Sequence, residues 1–329
     1  VNADFIELSI VVPMHNESAG IDAFFARFEA LFATFPLNYE IICVNDGSRD
    51  DTLARLLAHN QRDPRIKVID LSRNFGKETA LTAGLDHCRG ATVVPIDADL
   101  QDPPELIPEM LAKWREGYDV VYATRRIRHG ETATKRATAG MFYRVLNWMS
   151  EIDIPANTGD FRLMDRRVVE ALRQLPERTR FMKGLFAWVG FKQTAIYYDR
   201  DPRFAGQSQW SYWKLWTLAL DGVIAFSVLP LKVWGYIGLL LSLGALVYAG
   251  LLVLTVWMRG IDVPGYASMM VVVLFLGGVQ LMSLGIIGEY LARIYTEVKR
   301  RPLYLIRGAY GVRSQPHPEP CQNPFSTPR

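Results

Sequence analysis

Short apolar runs alternate with amphipathic stretches through the first two-thirds of the chain. The runs Leu8–Val12, Glu40–Asn45, Ile66–Leu71, Thr92–Ile96 and Val120–Ala123 predict strands. Between them, apolar residues recurring at helical spacing predict helices at Ala19–Thr34, Asp51–Asn60, Lys77–Cys88 and Pro104–Glu116. This alternation predicts an α/β fold with a mostly parallel sheet and helices on both faces. Ligands of such sheets bind beyond the carboxyl ends of the strands. The polar clusters HNES, NDGSRDD, SRNFGKE and DADLQD all fall at those ends. No GxGxxG follows the first strand, which argues against a dinucleotide-binding oxidoreductase.

The pattern then changes. Val233–Met258 and Val263–Gly288 contain no Asp, Glu, Lys or Arg. Each exceeds the ~20 residues that cross a bilayer as a helix. Trp234, Tyr236, Trp257 and Tyr266 sit near their ends, where aromatic residues favour the membrane interface. The brief connector Arg259–Asp262 makes the pair a hairpin; a buried soluble helix pair is the alternative. Lys214 and Lys232 precede the first span, and Arg293, Lys299, Arg300 and Arg301 follow the second. Positive flanks favour the cytoplasm, so both termini and the body are expected there, on the inner leaflet. The expected units are an α/β body over 1–210, an interfacial helix over 211–230, two spans over 231–292, and a basic, partly disordered tail over 293–329.

Two further helices are expected to lie along the membrane. In Lys135–Met149, Met141, Phe142, Val145 and Leu146 share one face, with Lys135, Arg136 and Arg144 on another. Tyr212–Phe226 is rich in Trp and Leu and leads into Pro230 and the hairpin. An ordinary core-facing helix is the alternative for the first.

Composition narrows the chemistry. Lys plus Arg number 37 against 34 Asp plus Glu, so a nucleic-acid or other global polyanion binder is excluded and anion recognition must be local. Cys43, Cys88 and Cys321 have no metal-ligand spacing and suggest a reducing compartment. No charged-then-apolar leader opens the sequence. A homo-oligomer is compatible with the sequence, which fixes no copy number.

Asp97 and Asp99 follow the fourth strand two residues apart, and Gln101 continues the alternation. Two carboxylates and an amide oxygen form a hard oxygen set suited to Mg2+ or Mn2+, ions that complete their shell with substrate phosphates. A surface turn with capping carboxylates is the other reading. Asp102, before Pro103–Pro104 and three residues ahead of Glu105, is expected to cap the next helix. Asn16 could cap the first helix, and Ser48 or Asp50 the second.

DADLQDPPE resembles the metal-binding signature of family 2 glycosyltransferases with the GT-A fold. VVPMHNE, VNDGSRDDT, SRNFGKETAL, GDFRLMDR, RFAGQSQWSYWKL and the hairpin are similar to the dolichol-phosphate mannose synthase and bactoprenol glucosyltransferase group. That group moves a sugar from a nucleotide onto a polyprenyl phosphate. The resemblance implies that Pro13, Asn16, Glu17, Asp46 and Lys77 line the nucleotide-sugar pocket, with Asp46 at the base or ribose. It implies that Asp97, Asp99 and Gln101 hold the divalent ion, and that Asp160 and Asp99 are catalytic. Asp160 matches a proposed catalytic base, yet a lipid phosphate with a second pKa of about 6 is already an anion at neutral pH. A positioning role, or a structural pairing with Arg162 or Arg166, is the alternative.

An anionic acceptor meeting an anionic donor needs cations. Arg125 and Arg136 match the group's lipid-phosphate arginines, and Arg203 is a third candidate. For a lone arginine, an inner-leaflet lipid contact is the competing reading. UDP-glucose and undecaprenyl phosphate are the first expectation, with galactose, N-acetylglucosamine, mannose or an aminoarabinose derivative open. A processive polysaccharide synthase is disfavoured, because QSQW lacks the arginine of a QxxRW motif and only two spans exist. A catalytically silent membrane scaffold is the non-enzymatic alternative.

Overall fold

The computed structural model describes residues 5–125, 158–175, 177, 178, 180, 182–198, 229–259 and 265–312. Strands β1 (Leu8–Met14), β2 (Tyr39–Asn45), β3 (Ile66–Leu71) and β4 (Thr92–Pro95) pair in parallel in the order β4-β1-β2-β3. Helices α1 (Ile21–Thr34), α2 (Thr52–Arg62), α3 (Lys77–His87) and α4 (Ile107–Arg115) follow them in turn, as the alternation predicts. Both faces of the sheet are covered, so the strands are apolar on both sides. Ile10, Val12, Ile41 and Cys43 join one core with Phe24 and Phe28 of α1. Val11, Ile42 and Val44 point the other way and join Ala80, Leu81 and Ala83 of α3.

The sheet continues on both sides and becomes mixed. β5 (Val120–Arg125), β6 (Thr158–Asp165) and β7 (Gln193–Tyr198) complete one side, with α5 (Arg166–Arg173) and α6 (Met182–Trp188) between β6 and β7. The strand order is β7-β5-β6-β4-β1-β2-β3-β8, in which β6 runs antiparallel to both neighbours. Its direction matters for the site. Thr92 pairs with Asp165 and Val93 with Met164, and continuing that register brings Asp97 level with Asp160. Thus the start of β6 meets the carboxyl ends of the parallel strands.

Helix α7 (Leu229–Arg259) and helix α8 (Tyr266–Val298) form the hairpin. Val233–Leu251 and Val271–Val298 are long and apolar enough to cross a membrane, with mean hydropathies of 1.6 and 2.2. Their apolar side chains, Leu240, Leu246, Val271 and Val273 among them, are exposed. Helix α8, about 50 Å long at 1.5 Å per residue, exceeds the ~30 Å hydrocarbon core.

Three sequence expectations need correction. The stretch 293–329 is not all tail, because α8 runs to Val298 and β8 (Ile306–Tyr310) pairs antiparallel with β3. Pairing caps the exposed edge of β3, which would otherwise offer unbonded N–H and C=O groups. The approach is fastened by Glu297 accepting from the Arg178 N–H at 2.8 Å, Tyr304 donating to Asp86 at 2.8 Å, and the Ser72 N–H donating to Leu305 at 2.8 Å. Asp102 is not a helix cap. It is buried and accepts from the Tyr198 hydroxyl, and no side chain caps the 3-10 turn Pro104–Leu106. Asn16 does not cap α1, whose N-cap is Gly20, whereas Asp50 does accept from the first N–H of α2, that of Thr52, at 3.1 Å. The expected interfacial helices lie outside the described residues.

Helix α3 lies unusually close to the sheet. A Cβ on Gly84 would stand 2.2 Å from Cγ1 of Val11. In an ordinary helix interior Gly→Ala gains about 1 kcal/mol. Here we expect the overlap to reverse the sign, with Gly84→Ala destabilising the fold by about 1–3 kcal/mol. Thermal unfolding of the detergent-solubilised chain checks this. A lower Tm is expected, and an unchanged or higher one would show that α3 can retreat freely.

Candidate active site

The site lies where the carboxyl ends of β1, β2 and β4 meet the start of α3 and of β6. Gly76, at φ 97°, turns the chain into α3, so that Lys77 is its first residue. The Lys77 ammonium stands 2.7 Å from Asp97 Oδ1 and 2.6 Å from Asp160 Oδ2. Two carboxylates level on neighbouring strands would repel, and this cation between them offsets the repulsion. Burial opposes the lysine charge, but the two acids outweigh it and raise the Lys77 pKa.

The acids divide. Burial outweighs Lys77 at Asp97 and raises its pKa. At Asp160 burial works in the same direction, but the Lys77 and Lys183 charges win and hold it below the usual carboxylate value. Glu78, the next residue of α3, is pushed to about 7 by burial and by the charge of Asp160. Glu78 and Lys183 were not singled out from the sequence. Glu78 sits inside the quoted SRNFGKETAL, and its signal was the adjacent pair of opposite charges opening a helix. Arg162 is buried within β6, donates to the Gly159 carbonyl at 2.8 Å and covers the Phe186 ring at 4.0 Å.

Among the described residues, several buried polar atoms have no partner: Glu78 Oε2, Asp160 Oδ1 and Gln101 Oε1 among them. Such atoms are costly unless something else satisfies them, and a cluster of them marks a place for a ligand. Asp99 accepts from the Gln101 N–H at 3.2 Å across a turn in which Leu100 takes φ 57°. Among the described residues no three His, Cys, Asp or Glu side chains converge as a complete metal site. The donors present, Asp97, Asp99 and the unsatisfied Gln101 Oε1, are nonetheless hard oxygens. They fit Mg2+ or Mn2+, which accept few protein ligands and add water or phosphate.

The other expected residues separate into groups. Pro13 pairs with Val44, one step before Met14 and Asn45 close the pairing of β1 with β2. The Asn16 N–H donates to Ser48 Oγ at 3.0 Å and its Oδ1 accepts from the Arg49 N–H at 2.8 Å, so it joins two loops at φ 57°. The Glu17 N–H donates to Thr52 Oγ1 at 2.9 Å. Asp46 was expected to face the cleft. It is buried instead, and its two oxygens accept from the Phe75 N–H at 2.6 Å and the Gly76 N–H at 2.9 Å. Asp46 therefore fixes the loop that presents Lys77. Asp160 pairs with Lys77, while Arg166 pairs with Glu170 at 2.8 Å. Arg125 ends β5, and Arg136 and Arg203 lie outside the described residues. Cys43 and Cys88 are buried thiols whose pKa burial raises, Cys88 to about 11. A cleft of about 550 Å³ opens beside Asn16 and Ser48, over β1, β2 and β3.

Comparison with known proteins agrees with this arrangement. The family model described as Glycosyl transferase family 2 matches residues 9–173, and that described as GtrB C-terminal hairpin matches residues 229–294. An uncharacterized glycosyltransferase of Synechocystis sp., sll0501, is 62% identical over 311 residues, covering 94% of this chain and 98% of that one. The uncharacterized glycosyltransferase YkcC of Bacillus subtilis is 47% identical over 310 residues, covering 94% and 96%. The SfII prophage-derived bactoprenol glucosyl transferase of Shigella flexneri is 45% identical over 305 residues, covering 93% and 99%. With the α/β sheet, the acidic strand ends and the hairpin in place, the chain belongs to glycosyl transferase family 2, GT-A in fold, in the group that includes the bactoprenol glucosyl transferases.

Proposed function

We propose that the protein transfers a sugar from a nucleotide donor, UDP-glucose as first choice, to undecaprenyl phosphate, with inversion and with Mg2+ or Mn2+. The observation that carries this reading is the Lys77-bridged pair Asp97 and Asp160 at the carboxyl edge of the sheet, in a chain that also carries an apolar hairpin. Likeness to bactoprenol glucosyl transferases over most of the chain supports the acceptor class. The hairpin would anchor the chain in a bacterial plasma membrane with the body and both termini in the cytoplasm, where positive flanks favour it.

The chemistry follows from charge. The acceptor phosphate is already an anion at neutral pH, so no base is needed to make it a nucleophile. Its oxygen attacks the anomeric carbon from the face opposite the departing nucleoside diphosphate. Arg125 and Arg136 hold it in line, with Arg203 as a further cation, and orientation of this kind supplies much of the rate. A divalent ion held by Asp97, Asp99 and Gln101 would stabilise the charge that develops on the diphosphate. Lys77 gives up Asp97 as the donor arrives and turns a hydrogen bond toward that charge, which an ammonium can do without a change of protonation. Asp160, kept ionised by Lys77 and Lys183, is a weak base and a good acceptor. It orients sugar hydroxyls.

Transfer of radiolabelled glucose from UDP-glucose to undecaprenyl phosphate, with and without EDTA, tests the reading. Chelator-sensitive product is expected; no product with any common nucleotide sugar would favour the scaffold instead. Asp99→Ala is expected to lower kcat by at least a hundredfold in a protein that still folds and inserts, and normal turnover would remove Asp99 from the ion site. Asp160→Asn should slow turnover while the acidic limb of the kcat profile stays in place; a lost limb would restore the general base. Arg136→Ala is expected to raise the acceptor KM roughly tenfold, about 1.4 kcal/mol, and an effect confined to the donor KM would contradict its phosphate role.

A further inference from the structure

The strand that returns from the hairpin forms one wall of the cleft over β1, β2 and β3. Asn16, Ser48, Arg49, Arg73 and Asn74 line it from the strand-end loops, and Arg307 lines it from β8. Three arginines meet there, and no carboxylate is among the lining side chains of the described residues. The register explains why Arg307 reaches this place. Asp70 pairs with Gly308 while Leu71 pairs with Ile306, so Arg307 is the extra residue of a bulge. Bulges bend the strand and re-aim a side chain, and they recur beside active sites. The Arg307 guanidinium donates to the Ser72 carbonyl at 2.5 Å and lies 3.7 Å from Asp70, which holds it at the cleft while its side chain stays 61% exposed.

Neighbouring strands are about 4.8 Å apart, so the cleft centre stands roughly 10–15 Å from the acids over β4 and β6. A nucleotide sugar spans that interval with its base at one end and its anomeric carbon at the other. We propose that Arg307 is a donor-binding residue, its planar guanidinium packing on the nucleoside end, so that the strand after the membrane hairpin is part of the donor site. The proposal rests on the nucleotide-sugar reading above. Arginine suits the task because its plane stacks on aromatic faces while its edge still donates hydrogen bonds. Donor binding and the seating of β8 then stabilise each other, since linkage is reciprocal.

The test uses the full chain in detergent, titrated calorimetrically with UDP in the presence of Mn2+ and followed in parallel by hydrogen exchange. We expect Arg307→Ala to weaken UDP binding about tenfold, with the loss appearing in the donor KM rather than in kcat, and Arg307→Lys to recover only part of it. Bound UDP should slow exchange across 305–311 in the natural chain and fail to do so in Arg307→Ala. Equal exchange there in the nucleotide-free proteins confirms that the variant keeps β8 seated; faster exchange in the variant would assign Arg307 to the fold and overturn the proposal. Wild-type UDP affinity in Arg307→Ala would overturn it while leaving the nucleotide-sugar reading intact. Failure of the natural chain to bind UDP or GDP would instead remove that reading and this proposal together.

Discussion

Two carboxylates on adjacent strands, with a single ammonium between them, constrain much of what surrounds them. Asp97 and Asp160 come level because β6 runs against β4, and like charges at neighbouring strand positions repel. Lys77 relieves the repulsion from the first turn of α3. That placement depends on further residues. Asp46 pins the loop before α3 through two backbone N–H groups, and Gly84 lets the helix settle against Val11. The fold thus stores a cation where a metal-assisted donor would need one removed or redirected.

The hairpin is attached to this body at both ends of its sequence, not only through its first helix. Helix α8 leads into Tyr304, which packs against the α3-side core and bonds Asp86, and then into β8. A hairpin joined this way has less freedom than one on a single linker. For the proposed reaction between a soluble donor and a lipid phosphate, restricted freedom would be useful, because it would hold the cleft at one depth and one orientation relative to the headgroups.

Much of this was legible in the sequence, for identifiable reasons. Strands β1 to β5 are apolar runs bounded by polar clusters, because both faces of the sheet are buried, and such runs are easily read. Asp97 and Lys77 stood in motifs at the strand ends where ligands bind. What escaped detection depends on non-local pairing. β8 is a five-residue strand interrupted by Gly308, and nothing local distinguishes it from a tail until β3 supplies its partner. The expected cap Asp102 looked correct by spacing, yet Tyr198, far along the chain, takes its carboxylate. Asp46 was expected at the cleft, by the base or ribose, and only the folded α3 loop shows where its oxygens go. That Asp97 and Asp160 share one lysine needs the antiparallel insertion of β6, which no periodicity announces.

The most direct measurement is a structure of the full chain with UDP and Mn2+ bound, the ion located by its anomalous scattering. The account predicts a peak in contact with the carboxylates of Asp97 and Asp99, with the Lys77 ammonium turned away from Asp97 toward the diphosphate. An unchanged Lys77 bridge between Asp97 and Asp160, with the ion elsewhere or absent while UDP is bound, would contradict it.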